Sequence, residues 1–319
     1  MSPAQLGTWL RAAGLTPRAL AAWAGTSRIA ALPARLDTIA PPTTPAAAIL
    51  ALFIGGAELA PDQLGRAAAL EPLLANQLVE RAGARLRARY AILPVGPALV
   101  VCDRLDAPVE RELVCWPDDS SHHLAAAIPP GRRARWLDLG CGSAFAPLSR
   151  PDLASQIAGV DINPRAVRCV ELGAALSVIP HVSAAVGDAG GGHEPADLVT
   201  CNTPIPDPLE RAPLATAAVP EVWRRADPGL FDRLWPALRR AVRPGGLIVV
   251  HAACDAMLPA LASADGERVV VTYTPDAVRG FAVAWWRPDA AARFVAVRRP
   301  LTLERPHLDP QDRDDALAR

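Results

Sequence analysis

Between residues 135 and 252 the chain repeats one pattern: a short apolar run, then a carboxylate, amide or glycine turn, then a helical stretch. Trp136–Ala144 reads WLDLGCGSA, Gly159–Pro164 reads GVDINP, Gly187–Ala189 reads GDA, and Leu198–Pro206 reads LVTCNTPIP. Apolar runs of this length bounded by turn residues, alternating with helices, specify a mostly parallel sheet. In such sheets the strand ends converge on one edge, where ligands bind. The predicted strands are Arg135–Leu139, Ile157–Asp161, Val182–Val186, Asp197–Cys201, Leu247–Ala252, Arg268–Tyr273 and Phe281–Trp286, with Phe294–Val297 as a candidate addition. Helices are predicted from about Ser121 to before Pro129, from Pro164 to about Leu176, and over Phe231–Val242. Pro164 suits a first helical turn.

The rest of the chain sets bounds. Its 319 residues suffice for about two domains. The 33 basic and 33 acidic side chains balance, and residues 1–130 carry 11 of each, so bulk charge does not make either part a basic nucleic-acid module. Every basic side chain of the 33 is arginine. That excludes a lysine nucleophile, a Schiff base and a P-loop lysine. The cysteines, Cys102, Cys115, Cys141, Cys169, Cys201 and Cys254, form no zinc spacing and no disulfide pattern, which predicts a reduced, cytoplasmic setting. The N-terminus shows no basic-then-apolar leader, and no apolar run is long enough to span a bilayer.

Upstream of residue 119 the pattern is mainly helical. Helix is predicted over residues 3–31, Ala46–Ile54, Pro61–Leu70 and Pro72–Ala82, with a loop at Pro33–Pro45. Arg85–Ile92 and Ala98–Cys102 read as a β-hairpin around Pro94–Pro97. Short helices followed by a hairpin resemble a winged helix. Arg81, Arg85, Arg87 and Arg89 cluster there, and a solvated face is the expected role. The predicted division is a winged-helix-like region at 1–118, an α/β domain at 119–303 and a charged tail at 304–319.

The strand ends carry specific chemistry. Gly140 and Gly142 permit a sharp turn and a close backbone approach. The dinucleotide fingerprint asks for glycine at 145, where this chain has Phe145, so a pyrophosphate is disfavoured. Asp138 repels a diphosphate and attracts an ammonium. Asp161 can accept two ribose hydroxyls, and Asp188 an exocyclic amine. Ammonium, ribose and aminopurine together describe S-adenosylmethionine.

These four elements, with LRRAVRPGGL at Leu238–Leu247, resemble the class I S-adenosylmethionine-dependent methyltransferases over residues 135–252. The resemblance implies a Rossmann-like, seven-stranded, mostly parallel sheet with helices on both faces. It implies that Asp138, Gly140, Cys141 and Gly142 line the methionine end. Asp161 would hold the ribose, Ile162 would pack on adenine, and Asp188 and Ala189 would lie at the adenine edge. The family often has a third glycine where Ala144 stands.

Cys201–Pro206 resembles the Asn-Pro-Pro-aromatic loop of HemK/PrmC-type and other amine methyltransferases. Asn202 also borders the cofactor in this resemblance, and Asn202, Thr203 and Pro204 are the catalytic candidates. The Asn202 oxygen and the Thr203 carbonyl would hold the two hydrogens of an amine and aim its lone pair. Thr203 replaces the first proline and Ile205 the aromatic ring. Loss of a ring worth about 1–3 kcal/mol of base stacking shifts the expected acceptor from nucleic acid toward an amine or amide of a protein, peptide or small molecule. The altered loop also keeps open a non-catalytic, cofactor- or partner-binding role. His122 and His123 are expected at a helix cap or surface, with a nearby serine as N-cap. Trp285–Trp286 could line the cleft or pack the sheet. Glu221–Arg225 is a candidate substrate cover. No metal is expected.

Overall fold

Three helices of the N-terminal region start where a hydroxyl cap is followed by proline. In the computed structural model, which describes residues 1–65, 69–107, 113–203, 229–273 and 280–298, α1 (Pro3–Ala12), α2 (Pro17–Ala24) and α4 (Pro45–Phe53) begin with proline. Ser2, Thr16 and Thr44 cap them with a side-chain oxygen. The single helical reading of 3–31 breaks because Gly14 adopts φ +111° and Thr16 starts a new cap. Two short helices complete the set, α3 (Pro33–Leu36), inside the predicted loop, and α5 (Leu70–Ala75). Pro61–Leu64 forms only one 3₁₀ turn, ended by Gly65 at φ +85°.

The hairpin region is a correction. The predicted helix Pro72–Ala82 stops early, because Gln77 turns left-handed at φ 56°, and Val79–Ala82 becomes strand β1. It pairs with β2 (Arg85–Ala88), while β3 (Ala91–Val95) pairs with β4 (Ala98–Cys102). Two consecutive hairpins thus replace the single wing. Arg85, Arg87 and Arg89 lie on the outward face and are partnered: Arg87 by Asp106, Arg89 by Glu80, and Arg85 by the Glu58 carbonyl.

Helix α6 (Asp119–Ala127) follows, capped by Asp118 and not by a serine. Then comes the sheet: β5 (Arg133–Leu139), β6 (Ala154–Asp161), β7 (Val182–Val186), β8 (Ala196–Asn202), β9 (Val242–Ala253), β10 (Glu267–Tyr273), β11 (Phe281–Arg287) and β12 (Arg293–Arg298). Its order is β12-β10-β11-β9-β8-β5-β6-β7, and β11 runs against its neighbours. The expected seven strands are therefore eight. β12 closes one edge by pairing parallel to β10. Helices α7 (Phe145–Ser149), α8 (Pro164–Ser177), α9 (Leu230–Ala241) and α10 (Cys254–Ala262) flank the strands.

Strand alternation divides the core. Trp136, Ile157, Leu198 and Val249 face one side and join a cluster with α8 and the N-terminal region, including Leu6, Leu10, Phe53, Leu99 and Val101. Leu137, Leu139, Val199, Cys201, Ile248 and Val250 face the other side, under Phe231, Trp235, Leu238, Met257 and Leu261. The N-terminal region is thus pressed onto α8. A Cβ on Gly7 would come within 1.8 Å of the Leu176 carbonyl oxygen. Arg11 donates to the Leu176 and Pro97 carbonyls at 3.4 and 2.8 Å, and the Leu99 amide donates to Ser177 Oγ at 2.8 Å. At the other end of α8, the buried Asp103 accepts from Arg165 Nε at 2.8 Å and from the Val114 amide at 2.7 Å. The Arg165 guanidinium also lies over the Tyr90 ring.

Candidate functional site at the carboxyl edge of the sheet

The turn after β5 is built from left-handed residues: Gly140 at φ +67°, Gly142 at φ +51° and Ala144 at φ +49°. A Cβ at Gly140 or Gly142 would meet nothing within 4 Å, so their requirement is conformational and the space beside them is open. The Gly140 and Cys141 amides both donate to the Val160 carbonyl, at 2.8 and 3.1 Å. Asp161 then ties the two loops together. Its Oδ2 accepts from the Gly142 amide at 2.8 Å and its Oδ1 from the Asn163 amide at 2.9 Å. Each carboxylate oxygen keeps acceptor capacity for a ligand hydroxyl. Beside it Ile162 is 76% exposed, the most exposed large apolar side chain among the described residues. Val186, at the end of β7, is also exposed.

Asp138 lies deeper. Trp136 Nε1 donates to Thr200 Oγ1 at 2.7 Å, and that hydroxyl donates to Asp138 Oδ1 at 2.5 Å. Burial pushes the Asp138 carboxyl up to about 7. The Thr200 hydrogen bond opposes the rise and Asp161 adds to it. An incoming cation would restore the ionised form. Asp188 is exposed and folds onto its own turn, with Oδ1 accepting from the Gly190 amide at 2.8 Å. The Gly187 amide donates to the Asp161 carbonyl at 2.9 Å, which brings this third loop beside the second. Ala189 is half-buried there.

Asn202 ends β8. Its Nδ2 donates to Ser120 Oγ at 2.9 Å and approaches Ser121 Oγ at 3.4 Å. Its Oδ1 is buried and has no partner among the described residues. Thr203 is committed to the sheet edge, since its amide and hydroxyl both donate to the His251 carbonyl at 3.0 Å. Pro204, Ile205, Pro206 and Glu221–Arg225 lie outside the described residues, as does the tail at 304–319.

Next to Asn202 across the sheet, His251 is 1% exposed. Burial holds its imidazole down at about 3, so it is neutral, and Nε2 bonds the Tyr273 hydroxyl. Its ring stacks on Phe281. His123 lies 4.6 Å from the Tyr273 ring and His122 edge-on to Phe145 at 6.3 Å, so both face the protein and not open solvent. Trp285 and Trp286 pack the sheet: their indoles donate to the Ala127 and Asp265 carbonyls, and Trp286 leans on Trp235. Among the described residues no group of three or more His, Cys, Asp or Glu side chains is placed to hold a metal. No described helix is long and apolar enough to cross a membrane.

Sequence reasoning missed Asp118, Ser120 and Thr200. Thr200 carries a signal: residues two apart share a strand face, and the sequence puts Asn202 at the strand's end. The contacts of Asp118 and Ser120 with the site carried none.

No protein-family model matches the chain, and no curated protein matches it. Solved structures of similar shape include three methyltransferases. One is a precorrin-6y C5,15-methyltransferase from Geobacter metallireducens, 14% identical over 55% of this chain and 90% of that one, TM-score 0.37. A second is a T. thermophilus 16S rRNA N2 methyltransferase in complex with AdoMet and guanosine. It is 18% identical over 64% of this chain and 46% of that one, TM-score 0.44. A third is a predicted O-methyltransferase from Agrobacterium tumefaciens, 17% identical over 61% of this chain and 93% of that one, TM-score 0.41.

Proposed function

We propose that the chain is an S-adenosylmethionine-dependent methyltransferase that methylates nitrogen. The observation that carries this reading is the cradle formed by Gly140–Gly142, the Asp161 carboxylate and the exposed Ile162. It joins open backbone, a hydroxyl acceptor and an uncovered apolar side chain in one place. A nucleoside with a charged amino-acid arm matches all three. Asp138 would ionise against the ammonium, Asp161 would accept the ribose hydroxyls, and Ile162 would cover one adenine face. Asp188 and Ala189 would border the base.

When bound, the cofactor supplies a sulfonium methyl group that leaves in line, with S-adenosylhomocysteine as the product. The chain's part is to aim the acceptor. Asn202 Oδ1, buried and without a partner among the described residues, would accept one hydrogen of the incoming amine and direct its lone pair at the methyl carbon. The Thr203 carbonyl would take the other hydrogen, and Pro204 would stiffen the loop. The acceptor is an amine or amide of a protein, peptide or small molecule. A nucleobase amine makes the same hydrogen-bond demand, so it belongs in the same test.

Calorimetry with S-adenosylmethionine and S-adenosylhomocysteine tests the cofactor, and absence of binding to both overturns the reading. Mass spectrometry of extracts incubated with methyl-labelled cofactor identifies the acceptor. Asn202→Ala is expected to keep cofactor affinity and to lower labelling at least about a hundredfold. Unchanged labelling would assign Asn202 to the loop.

A further inference from the structure

We infer that Asp118 and Ser120 are positioning residues that fix which end of the Asn202 amide faces the acceptor. This rests on the methyl-transfer reading for what Asn202 does, though not for how Asn202 is held. Ser120 is 7% exposed, and its hydroxyl donates to Asp118 Oδ1 at 2.5 Å. A hydroxyl has one proton, so toward Asn202 the Ser120 oxygen can only accept. The nitrogen of the Asn202 amide must therefore be the end 2.9 Å from Ser120. Ser121 Oγ, 3.4 Å away, offers a second acceptor on the same side. The amide oxygen is thereby turned away from α6, where it remains buried and unpartnered among the described residues.

This run of bonds is anchored at the start of α6. Asp118 caps α6, and its Oδ1 also receives the Ser120 and Ser121 amides at 2.9 and 3.3 Å. Backbone amides can only donate, so Asp118 Oδ1 is an acceptor and the direction of every bond is set from that end. The bonds run from the Asn202 amide to Ser120 and from Ser120 to Asp118, and each polarises the next. The result is a more negative Asn202 oxygen, suited to a hydrogen on nitrogen. Without the Ser120 hydroxyl, the amide is free to turn and present its own NH₂ group, which cannot accept the hydrogens of the amine.

Ser120→Ala removes this link and leaves the two backbone bonds that cap α6, so the fold is kept. Ser120→Thr restores a hydroxyl. Two measurements apply to both variants, with melting followed by circular dichroism. The first is solvent exchange of the Asn202 side-chain NH₂ in ¹H–¹⁵N spectra, assigned by its loss in Asn202→Ala. It is expected to speed up about tenfold in Ser120→Ala, as for one lost hydrogen bond, and to return in Ser120→Thr. The second is methyl transfer from radiolabelled S-adenosylmethionine at saturation into an extract. It is expected to fall about tenfold in Ser120→Ala and recover in Ser120→Thr, with S-adenosylhomocysteine affinity unchanged. Wild-type exchange and transfer in Ser120→Ala would overturn the inference. A loss in both variants that tracks a lowered melting temperature would also overturn it, by assigning Ser120 to packing. A wild-type protein that binds no cofactor would sink the methyl-transfer reading, while the exchange measurement would still decide the positioning role.

Discussion

Asp138→Asn separates the needs of folding from those of binding. The wild-type carboxyl is 5% exposed, and burial moves it from 3.8 to about 7. The folded state thus keeps a proton that the unfolded chain releases above pH 4. Stability from this group is full below the unfolded value and is lost as pH rises through the folded one. At about 1.4 kcal/mol per tenfold, the loss is about 2 kcal/mol at pH 5 and about 4 kcal/mol at pH 8.5. Asparagine keeps the shape and an acceptor for Thr200, and it does not titrate. The variant should therefore gain over wild type by those amounts, with the gap widening as pH rises. Its partner for an ammonium is weaker, so S-adenosylhomocysteine affinity at pH 8 should fall at least about tenfold. Wild-type affinity should itself decline below pH 7, by about tenfold per pH unit, because binding must then expel the proton. Urea unfolding from pH 5 to 8.5, paired with calorimetry, reads both effects. A stability difference that does not change with pH, or that favours wild type at pH 8.5, refutes the argument.

Three more substitutions probe other links. Ile162→Ser should leave stability within about 0.5 kcal/mol, because the side chain is 76% exposed, and weaken S-adenosylhomocysteine about tenfold by calorimetry. Ala144→Gly should stabilise the fold by about 0.5 kcal/mol in urea. It relieves a left-handed alanine at φ +49° costing roughly 1–2 kcal/mol, less the extra freedom of unfolded glycine. Gly7→Ala should cost at least about 2 kcal/mol and lower the melting temperature, since its Cβ would meet the Leu176 carbonyl oxygen at 1.8 Å. A melting temperature equal to wild type would mean that α1 and α8 separate without cost.

Strands β5 and β7 were legible because their apolar runs and their punctuation agreed. Val182–Val186 was bounded to the residue, and Arg135–Leu139 lies inside the observed Arg133–Leu139. Each of these two runs is followed at once by a glycine, Gly140 or Gly187, that punctuates the strand. Val79–Ala82 was not legible. Upstream, Leu70, Leu73 and Leu74 recur at helical spacing, and the chain reverses where Gln77 takes a left-handed turn. β12 was only a candidate, because an edge strand with exposed Phe294 and Val297 lacks a buried face to mark it. Within the site, Asp138, Asp161 and Asn202 announced themselves as polar residues ending apolar runs. The support for Asn202 comes from Ser120, 82 residues earlier, and pairings at that distance leave no periodicity to read.

The grip of Asp103 on Arg165 ties the end of the second hairpin to a particular place. Arg165 stands four residues beyond Asp161, in the first turn of α8. A shortened protein beginning at α6 would lose this grip and lay bare the face of α8 that carries Val170 and Leu176. The loop that holds Asp161 would then be attached to a helix with one side uncovered. By the same connection, a force applied at the hairpins is delivered next to the Asp161 carboxylate, with no domain hinge needed to carry it.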